Sequence, residues 1–594
     1  MNSRAVDSIT IKGSKFFYSN GTQFFLRRVT YGSDSLDILA DRDACERDIK
    51  ALVSLGINVL HVYGIDSSQD HGEYMEKFME NGIYLLIDLQ ITSTYIYIDS
   101  TTWTNQKFSA YVDMVDAFAF YTNTLGFYLV DNPVTDSSTS LAPLSKAAVR
   151  DVKGYIKARG YRSLPIGGYV LTDSDYAQET YRLAADYMAC GNSSIDFWAL
   201  TDYSWCDNST FTSSNYSRLT ESFSEYPLPI FLADYACKPT TEDNSDVAGR
   251  IFDEVGTIYG PEMSDIWSGG IVYEWARSSD SDPNDYALVN LTDNTIQLNQ
   301  NYKSLSTQLA AINPSITQMS AYTPTITTAP SCPDENAAWA ASTILPPTAN
   351  TLLCDCMTAS LHCKVDPSTS VNTITSVQAT LCTSNSTICD GFTSNVTSST
   401  YGAFSVCSPW QQVSWAINQY YLNTGGCSQK TTTASLQALE ALNSSCINLL
   451  AKAGPLGKTP IYSDIAIANS TSDSNITSVY SDTSTDSSRS LPGGTIAGIV
   501  VGILLALIVA SSLILFYLRK RKSRKSHIAQ ELEASTPGQH DTPAELENDG
   551  QKAELWANDT STNTGITSPK ELAHEGDAML PRNQNESREI FEMA

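Results

Sequence analysis

Positive charge is what this chain has least of. Lys and Arg number 37 against 65 Asp and Glu, a net charge of −28 over 594 residues. No broad basic surface can be assembled from that balance, so a nucleic-acid partner is excluded. Histidine is also scarce, at six residues, and none clusters with Cys354-x-Cys356, so a zinc reading of that pair is unattractive. The opening MNSRAVDSITIKG has no basic stretch followed by an apolar core, and no signal peptide is visible in it. Either a distant apolar segment translocates a very long N-terminal part, or the true start lies upstream; the second is our expectation. No phosphate-binding glycine loop and no Ser or Cys nucleophile motif stands out. Nothing in the sequence asks for a metal or a cofactor.

Long apolar runs are absent as well, with one exception. Ile496 to Leu518 reads IAGIVVGILLALIVASSLILFYL, with no charge and two serines. Roughly 20 apolar residues in a helix span a bilayer core, and only a helix hides its own backbone polar groups there. A buried core helix is the alternative, but no amphipathic stripe is visible. Arg519, Lys520, Arg521, Lys522, Arg524 and Lys525 follow at once. The positive-inside rule then puts this side in the cytoplasm, next to anionic headgroups, and residues 1 to about 492 outside. Gly494, Gly498 and Gly502 form a small-residue stripe that offers a homodimer face through the transmembrane helix. The thirteen cysteines all precede the helix, as an oxidising compartment requires. So do ten N-x-Ser/Thr sequons, at Asn20, Asn192, Asn208, Asn215, Asn290, Asn385, Asn395, Asn443, Asn469 and Asn475.

Ser8 to Val29 reads as a hairpin turning at Asn20-Gly21. From Cys45 the pattern alternates: CERDIKALVSLG helical, INVLHVYGI a buried strand, EYMEKFMENG helical, IYLLIDLQI a strand. The rhythm recurs through TLGFYLV, LPIGGYVL, IDFWALTDY, LPIFLADY and SGGIVYEW. Buried strands alternating with helices over about 300 residues predict an α/β fold, a (β/α)8 barrel across 8–315. In such barrels chemistry sits at the C-terminal ends of the strands, so the residues closing each apolar run carry the interest.

Nine cysteines fall between Cys332 and Cys446, which predicts a small, mainly helical module stapled by disulfides over 332–450. Residues 455–492 are dominated by Ser, Thr, Asp and Asn, cannot bury a core, and read as a glycosylated stalk. The transmembrane helix is assigned to 496–518 and a cytoplasmic tail to 519–594. Beyond Lys525 that tail carries 14 acidic and four basic residues, and disorder is expected.

Several stretches resemble the fungal β-1,3-glucanosyltransferases of glycoside hydrolase family 72. They are ITIKGSKFFYSNGTQFFLRRVTYG, LADRDACERDIKALVSLGINVLHVYGID, HGEYMEKFMENGIYLLIDL, YSWCDNSTF, FLADYACK and IWSGGIVYEWA. YGAFSVCSPWQQ resembles part of the carbohydrate-binding module that follows the barrel in one branch of that family. The resemblance implies an enzyme that cuts β-1,3-glucan internally and rejoins the new reducing end to another chain. Most members carry a glycolipid anchor; here a basic segment follows the apolar stretch, where such an anchor signal should end.

Retaining glycosyl transfer needs two carboxyl groups roughly 5 to 5.5 Å apart. The family's acid/base is the Glu of an Asn-Glu pair closing the fourth strand. Here LGFYLVDNPV keeps Asn132 but has Pro133 at the Glu position, leaving Asp131 as a substitute. The family's nucleophile precedes Tyr-Gly-Cys at the seventh strand, a position held by Asp234 in FLADYAC. Aspartate is one methylene shorter, and a misplacement of about 1 Å costs on the order of 100-fold. Tyr63, read as closing the third strand, Tyr203 and Tyr273 match family aromatics, either as sugar contacts or as caps of the core. Asp175 and Arg182 fall near a family Asp and Arg that contact the donor sugar. His61 stands where the family has Arg, and Arg28 where it usually has Gly, near the expected cleft floor.

The family's pairing implies Cys190–Cys332, Cys206–Cys237, Cys354–Cys407, Cys356–Cys446, Cys363–Cys427 and Cys382–Cys389. Cys45 would lose its partner to Tyr74. Two functions compete. One is a wall-remodelling transglycosylase using Asp234, with Asp131 or a water in place of the lost acid. The other is a plasma-membrane protein that holds β-1,3-glucan without cutting it, tethering the wall or reporting its state through the tail.

Overall fold

The computed structural model describes residues 6–32, 37–90, 102–131, 139–171, 178–206, 209–236, 250–277, 286–292, 294–427, 434–439 and 441–465. The expected transmembrane helix, its glycine stripe, the cytoplasmic tail and residues 466–492 of the stalk lie outside these, as do Asn132, Pro133, Asp175 and Cys237. Residues 455–465, read as the start of the stalk, instead follow the module closely, with Ile461 buried in its cluster. Among the described residues no helix is long and apolar enough to cross a membrane.

Eight strands close a barrel: β4 (Leu26–Thr30), β5 (Val59–Val62), β6 (Tyr84–Asp88), β7 (Thr124–Asp131), β8 (Ile166–Leu171), β9 (Phe197–Asp202), β10 (Ile230–Tyr235) and β11 (Trp267–Val272). Each pairs in parallel with the next, and β11 returns to β4. Helices α1 (Arg42–Leu55), α2 (Gly72–Glu80), α3 (Asn105–Phe118), α4 (Ala142–Arg159), α5 (Gln178–Ala189), α6 (Tyr216–Phe223) and α7 (Glu254–Ile258) fill the crossovers, and α8 (Gln300–Ala311) follows. Their sequence signals are local ones. Asp41 caps α1 by accepting from Asp43 N and Ala44 N, and Gly56 ends it in the left-handed region at φ 79°.

The N-terminal segment departs from the expected single hairpin. Three short strands, β1 (Thr10–Lys12), β2 (Lys15–Phe17) and β3 (Gln23–Phe24), form an antiparallel sheet, and LRRVT goes to the barrel instead. The first turn needs Gly13, at φ 55°, where a Cβ would meet the Pro324 ring at 2.7 Å. Phe16 and Phe24 from this sheet plug the barrel's N-terminal end. Phe16 lies 6.3 Å from both Phe197 and Phe231, and Phe24 lies 5.5 Å from Tyr84. The opposite, C-terminal end is thereby the one left for chemistry.

The cysteine-rich region is a mainly helical module of α9 (Thr351–Ala359), α10 (Val371–Ser384), α11 (Pro409–Thr424) and α12 (Ser444–Ala453). Disulfides join Cys354–Cys407, Cys356–Cys446, Cys363–Cys427 and Cys382–Cys389, and Cys190–Cys332 ties the end of α5 to the connecting segment. Five implied pairings are therefore present. Cys206 is disulfide-bonded, and its implied partner Cys237 is outside the described residues. Cys45 is free and buried; its backbone N–H donates to the Tyr74 hydroxyl at 3.2 Å, so the ring occupies the place of the missing sulfur. The module is fastened to the barrel by Asn105, whose N–H donates to Val406 O at 2.7 Å, and by Asp151, which accepts from Ala349 N at 3.0 Å.

Candidate active site

The floor of the open end is built by side chains from neighbouring strands. On β10 the inward alternation runs Phe231, Ala233, so simple pleating would turn Asp234 outward. A register shift between Leu232 and Asp234 re-aims it. Its carboxylate faces the barrel axis, where Oδ1 accepts from Thr30 Oγ1 at 2.9 Å. Burial pushes Asp234 up to about 6, opposed by the charges of His61 and Arg28 and by the Thr30 hydrogen bond.

Beside it, His61 Nε2 donates to Asp88 Oδ1 at 2.8 Å. His61 lies on β5, Asp88 closes β6, and Thr30 pairs with His61 across β4 and β5. Tyr128 stacks edge-on against His61 at 4.9 Å and against Tyr169 at 5.3 Å. Arg28, two residues before Thr30, sends its guanidinium among these groups and is 1% exposed. Its charge is placed 5.1 Å from the Phe231 ring centre and 5.8 Å from that of Tyr128.

Three tyrosines stand around this floor. Tyr63 follows β5, the second barrel strand, and not the third as the sequence reading had it. Its ring lies where a Cβ on residue 32 would be, so Gly32 is required for the close approach. Tyr203 follows β9 and is 46% exposed, and Tyr273 follows β11. Tyr203 is within electrostatic reach of Asp234, Tyr273 and Tyr286. Tyr273 meets Tyr286 edge-on at 5.6 Å.

Other expected site residues are placed differently. Arg182 is on α5 in the outer layer: its Nε donates to Asp186 Oδ1 at 3.0 Å, its Nη1 to Ser222 O, and its guanidinium lies over Phe223 and Tyr226. An i,i+4 partner and two rings hold it between helices, away from the cleft. Asp131 ends β7, the fourth barrel strand, paired with Tyr169; its side chain, with Asn132 and Asp175, is outside the described part. The sequence reading missed Thr30 and Asp88. Asp88 had a signal, since it closes the run IYLLID; Thr30 had none, because its partner is 204 residues away. Among the sequons, Asn215 is half-buried and its amide donates to Asp202 at 2.9 Å, whereas Asn20, Asn192, Asn290, Asn385, Asn395 and Asn443 are exposed.

A closed parallel barrel with a carboxylate at the end of the seventh strand and tyrosines around its mouth is a (β/α)8 barrel with its chemistry-bearing groups at the C-terminal end. Comparison with known proteins narrows it. The glucanosyltransferase family matches residues 1–313, and the X8 domain matches 361–434. A 1,3-beta-glucanosyltransferase of Arthroderma benhamiae is 37% identical over 474 residues, covering 76% of this chain and 84% of that one. The gas1 1,3-beta-glucanosyltransferase of Schizosaccharomyces pombe is 33% identical, with coverage of 76% and 82%. Among solved structures, a Gln-for-Glu variant of Saccharomyces cerevisiae Gas2p in complex with laminaritetraose and laminaripentaose superposes with a TM-score of 0.66 at 29% identity, covering 75% of this chain and 97% of that one. The chain belongs to the glucanosyltransferase family.

Proposed function

We propose that this protein remodels cell-wall β-1,3-glucan, cutting a chain internally and transferring the new reducing end to a second chain, with Asp234 as the nucleophile. The supporting observation is Asp234 itself: a carboxylate turned inward by a bulge at the end of the seventh barrel strand, held by Thr30 and faced by His61 and Arg28. Its oxygen attacks the anomeric carbon as the bond to the leaving chain breaks. A hydroxyl of the acceptor glucan then displaces the ester, its proton passing to the group that had protonated the leaving oxygen, and the original carboxylate is regenerated. Tyr63, Tyr203 and Tyr273 offer ring faces to the apolar faces of sugars. Asn132 and Asp175 are assigned to substrate contact with them. Asp131 or a water protonates the leaving oxygen, since Pro133 has no proton to give.

In this reading the barrel and the cysteine-rich carbohydrate-binding module face the wall. A glycosylated stalk and the single helix at 496–518 fix them to the plasma membrane, the tail is cytoplasmic, and the glycine stripe pairs two copies. A second reading, glucan binding without cleavage, is favoured by Pro133 together with the apolar segment at 496–518 and the tail that follows it. The discriminating experiment incubates the full-length chain with reduced laminari-oligosaccharides and resolves product lengths by chromatography. Products longer than the donor, lost in Asp234→Ala, are expected. Binding with no new lengths, unchanged in Asp234→Ala, overturns the enzymatic reading.

A further inference from the structure

The barrel floor carries a permanent cation that the ordinary chemistry of a folded core disfavours. Arg28 is 1% exposed; its Nε, Nη1 and Nη2 make no well-aligned hydrogen bond among the described residues, and the polar group that interacts with it most is the Tyr128 hydroxyl. Burying a charge costs several kcal/mol, so a guanidinium kept in such a place needs a reason other than stability. What it has for company is two rings and two carboxylates. Phe231 and Tyr128 lie under it, and its charge acts on Asp234 and Asp88.

The strand geometry explains why the cation reaches Asp234. Arg28 and Thr30 alternate onto the same face of β4, and Thr30 donates to Asp234 Oδ1 at 2.9 Å. Phe231, under the guanidinium, is on the same strand as Asp234. The groups around Asp234 can be followed strand by strand. β4 gives Arg28 and Thr30, β5 gives His61, β6 gives Asp88, β7 gives Tyr128 and β8 gives Tyr169. Tyr203 and Tyr273 follow β9 and β11. Arg250 is nearby but donates to the carbonyls of Tyr273 and Tyr235, at 2.7 and 3.1 Å. His61 gives its Nε2–H to Asp88.

We propose that Arg28 is a positioning residue for Asp234: from the first barrel strand it adds, beside His61, a permanent positive charge that keeps the carboxylate ionised and aimed at the sugar carbon. The arrangement transposes a charge by one strand, since the family resemblance puts Arg at the position of His61 and Gly at that of Arg28. The inference rests on the nucleophile reading above, and its test separates the two.

The test uses the full-length chain and 2-deoxy-2-fluoro-laminaribiosyl fluoride. An Asp234 oxygen bonds to C1, the C1–F bond breaks, and fluoride leaves with the electron pair. No proton is needed, so the residue at 133 does not matter. In the parent protein a glycosyl adduct should map to Asp234, with a rate rising as pH increases through about 6. In Arg28→Met the profile should move upward by about one pH unit or more, a roughly tenfold slower labelling near pH 5. Arg28→Lys should restore much of it, while the thermal midpoint of Arg28→Met stays unchanged or rises. A labelled Arg28→Met with the parent's pH profile overturns the proposal and leaves the nucleophile standing. Failure of both Arg28→Met and Arg28→Gln to fold also overturns it, because a positioning residue is dispensable for folding. No adduct in the parent at any pH refutes the nucleophile reading, and this proposal with it.

Discussion

The barrel and the cysteine-rich module solve the same problem of stability by opposite means. The barrel buries two large apolar clusters, one between strands and helices and one along its axis. It leaves Cys45 unpaired and keeps charged groups on its floor. The module's cluster is smaller than the barrel's outer one, and its four disulfides span sequence separations of 53, 90, 64 and 7 residues. A large core tolerates a functional fault such as a buried guanidinium, whereas a small one is kept folded by covalent closure.

The sharpest way to break that comparison is to open the barrel's axis. Phe197→Ala removes a ring that touches Phe16, Tyr128 and Phe231 and should cost about 3 to 5 kcal/mol in chemical denaturation. A cost below about 1 kcal/mol would deny the axial cluster its role. Next comes the module: replacing Cys356 and Cys446 together by Ser should cost about 2 to 4 kcal/mol. Near-normal stability of that variant would mean the helices hold without their staple.

A smaller effect is expected at the floor. Asp234 titrates near 6 in the fold against 3.8 unfolded, so the folded state holds its proton more tightly. That contribution is present at low pH and is lost as pH rises through this window. Asp234→Asn should therefore raise stability at neutral pH by about 1 to 3 kcal/mol and flatten its slope between these values. An unchanged melting profile across pH would contradict it. Smallest is the attempt to give the barrel a staple of its own. Tyr74→Cys places a thiol where the ring now meets Cys45. A bridge should form on oxidation, with a net gain of about 1 kcal/mol once the lost ring is counted. In the parent, burial pushes the Cys45 thiol up to about 12. Alkylation should find it only after denaturation.

Much of this architecture was legible because it is periodic. Apolar runs such as INVLHV and LPIFLA announce parallel strands wherever helices separate them, whereas the five pairings found in the structure had been implied by the family resemblance alone. The resemblance singled out Asp234, Tyr63, Tyr203 and Tyr273, and the structure puts each of them at or just past the C-terminal end of a barrel strand. What escaped depends on contacts between distant segments. Thr30 reaches Asp234 and His61 reaches Asp88 across strands, and pattern says nothing of such pairs. Arg182 shows the converse: the resemblance put it near a family Arg that contacts sugar, while in the structure it pairs with Asp186 one helical turn away. The hairpin failed at Gly13, where a second turn freed LRRVT for the barrel.

The bridge between Cys190 and Cys332 spans a separation of 142 residues and joins α5 to the segment after α8. A protease that nicks the connecting stretch between residues 312 and 331 would thus not release the downstream half. The two fragments would migrate as one species until a reductant is added, so the barrel and the module survive a single cut as a covalent whole.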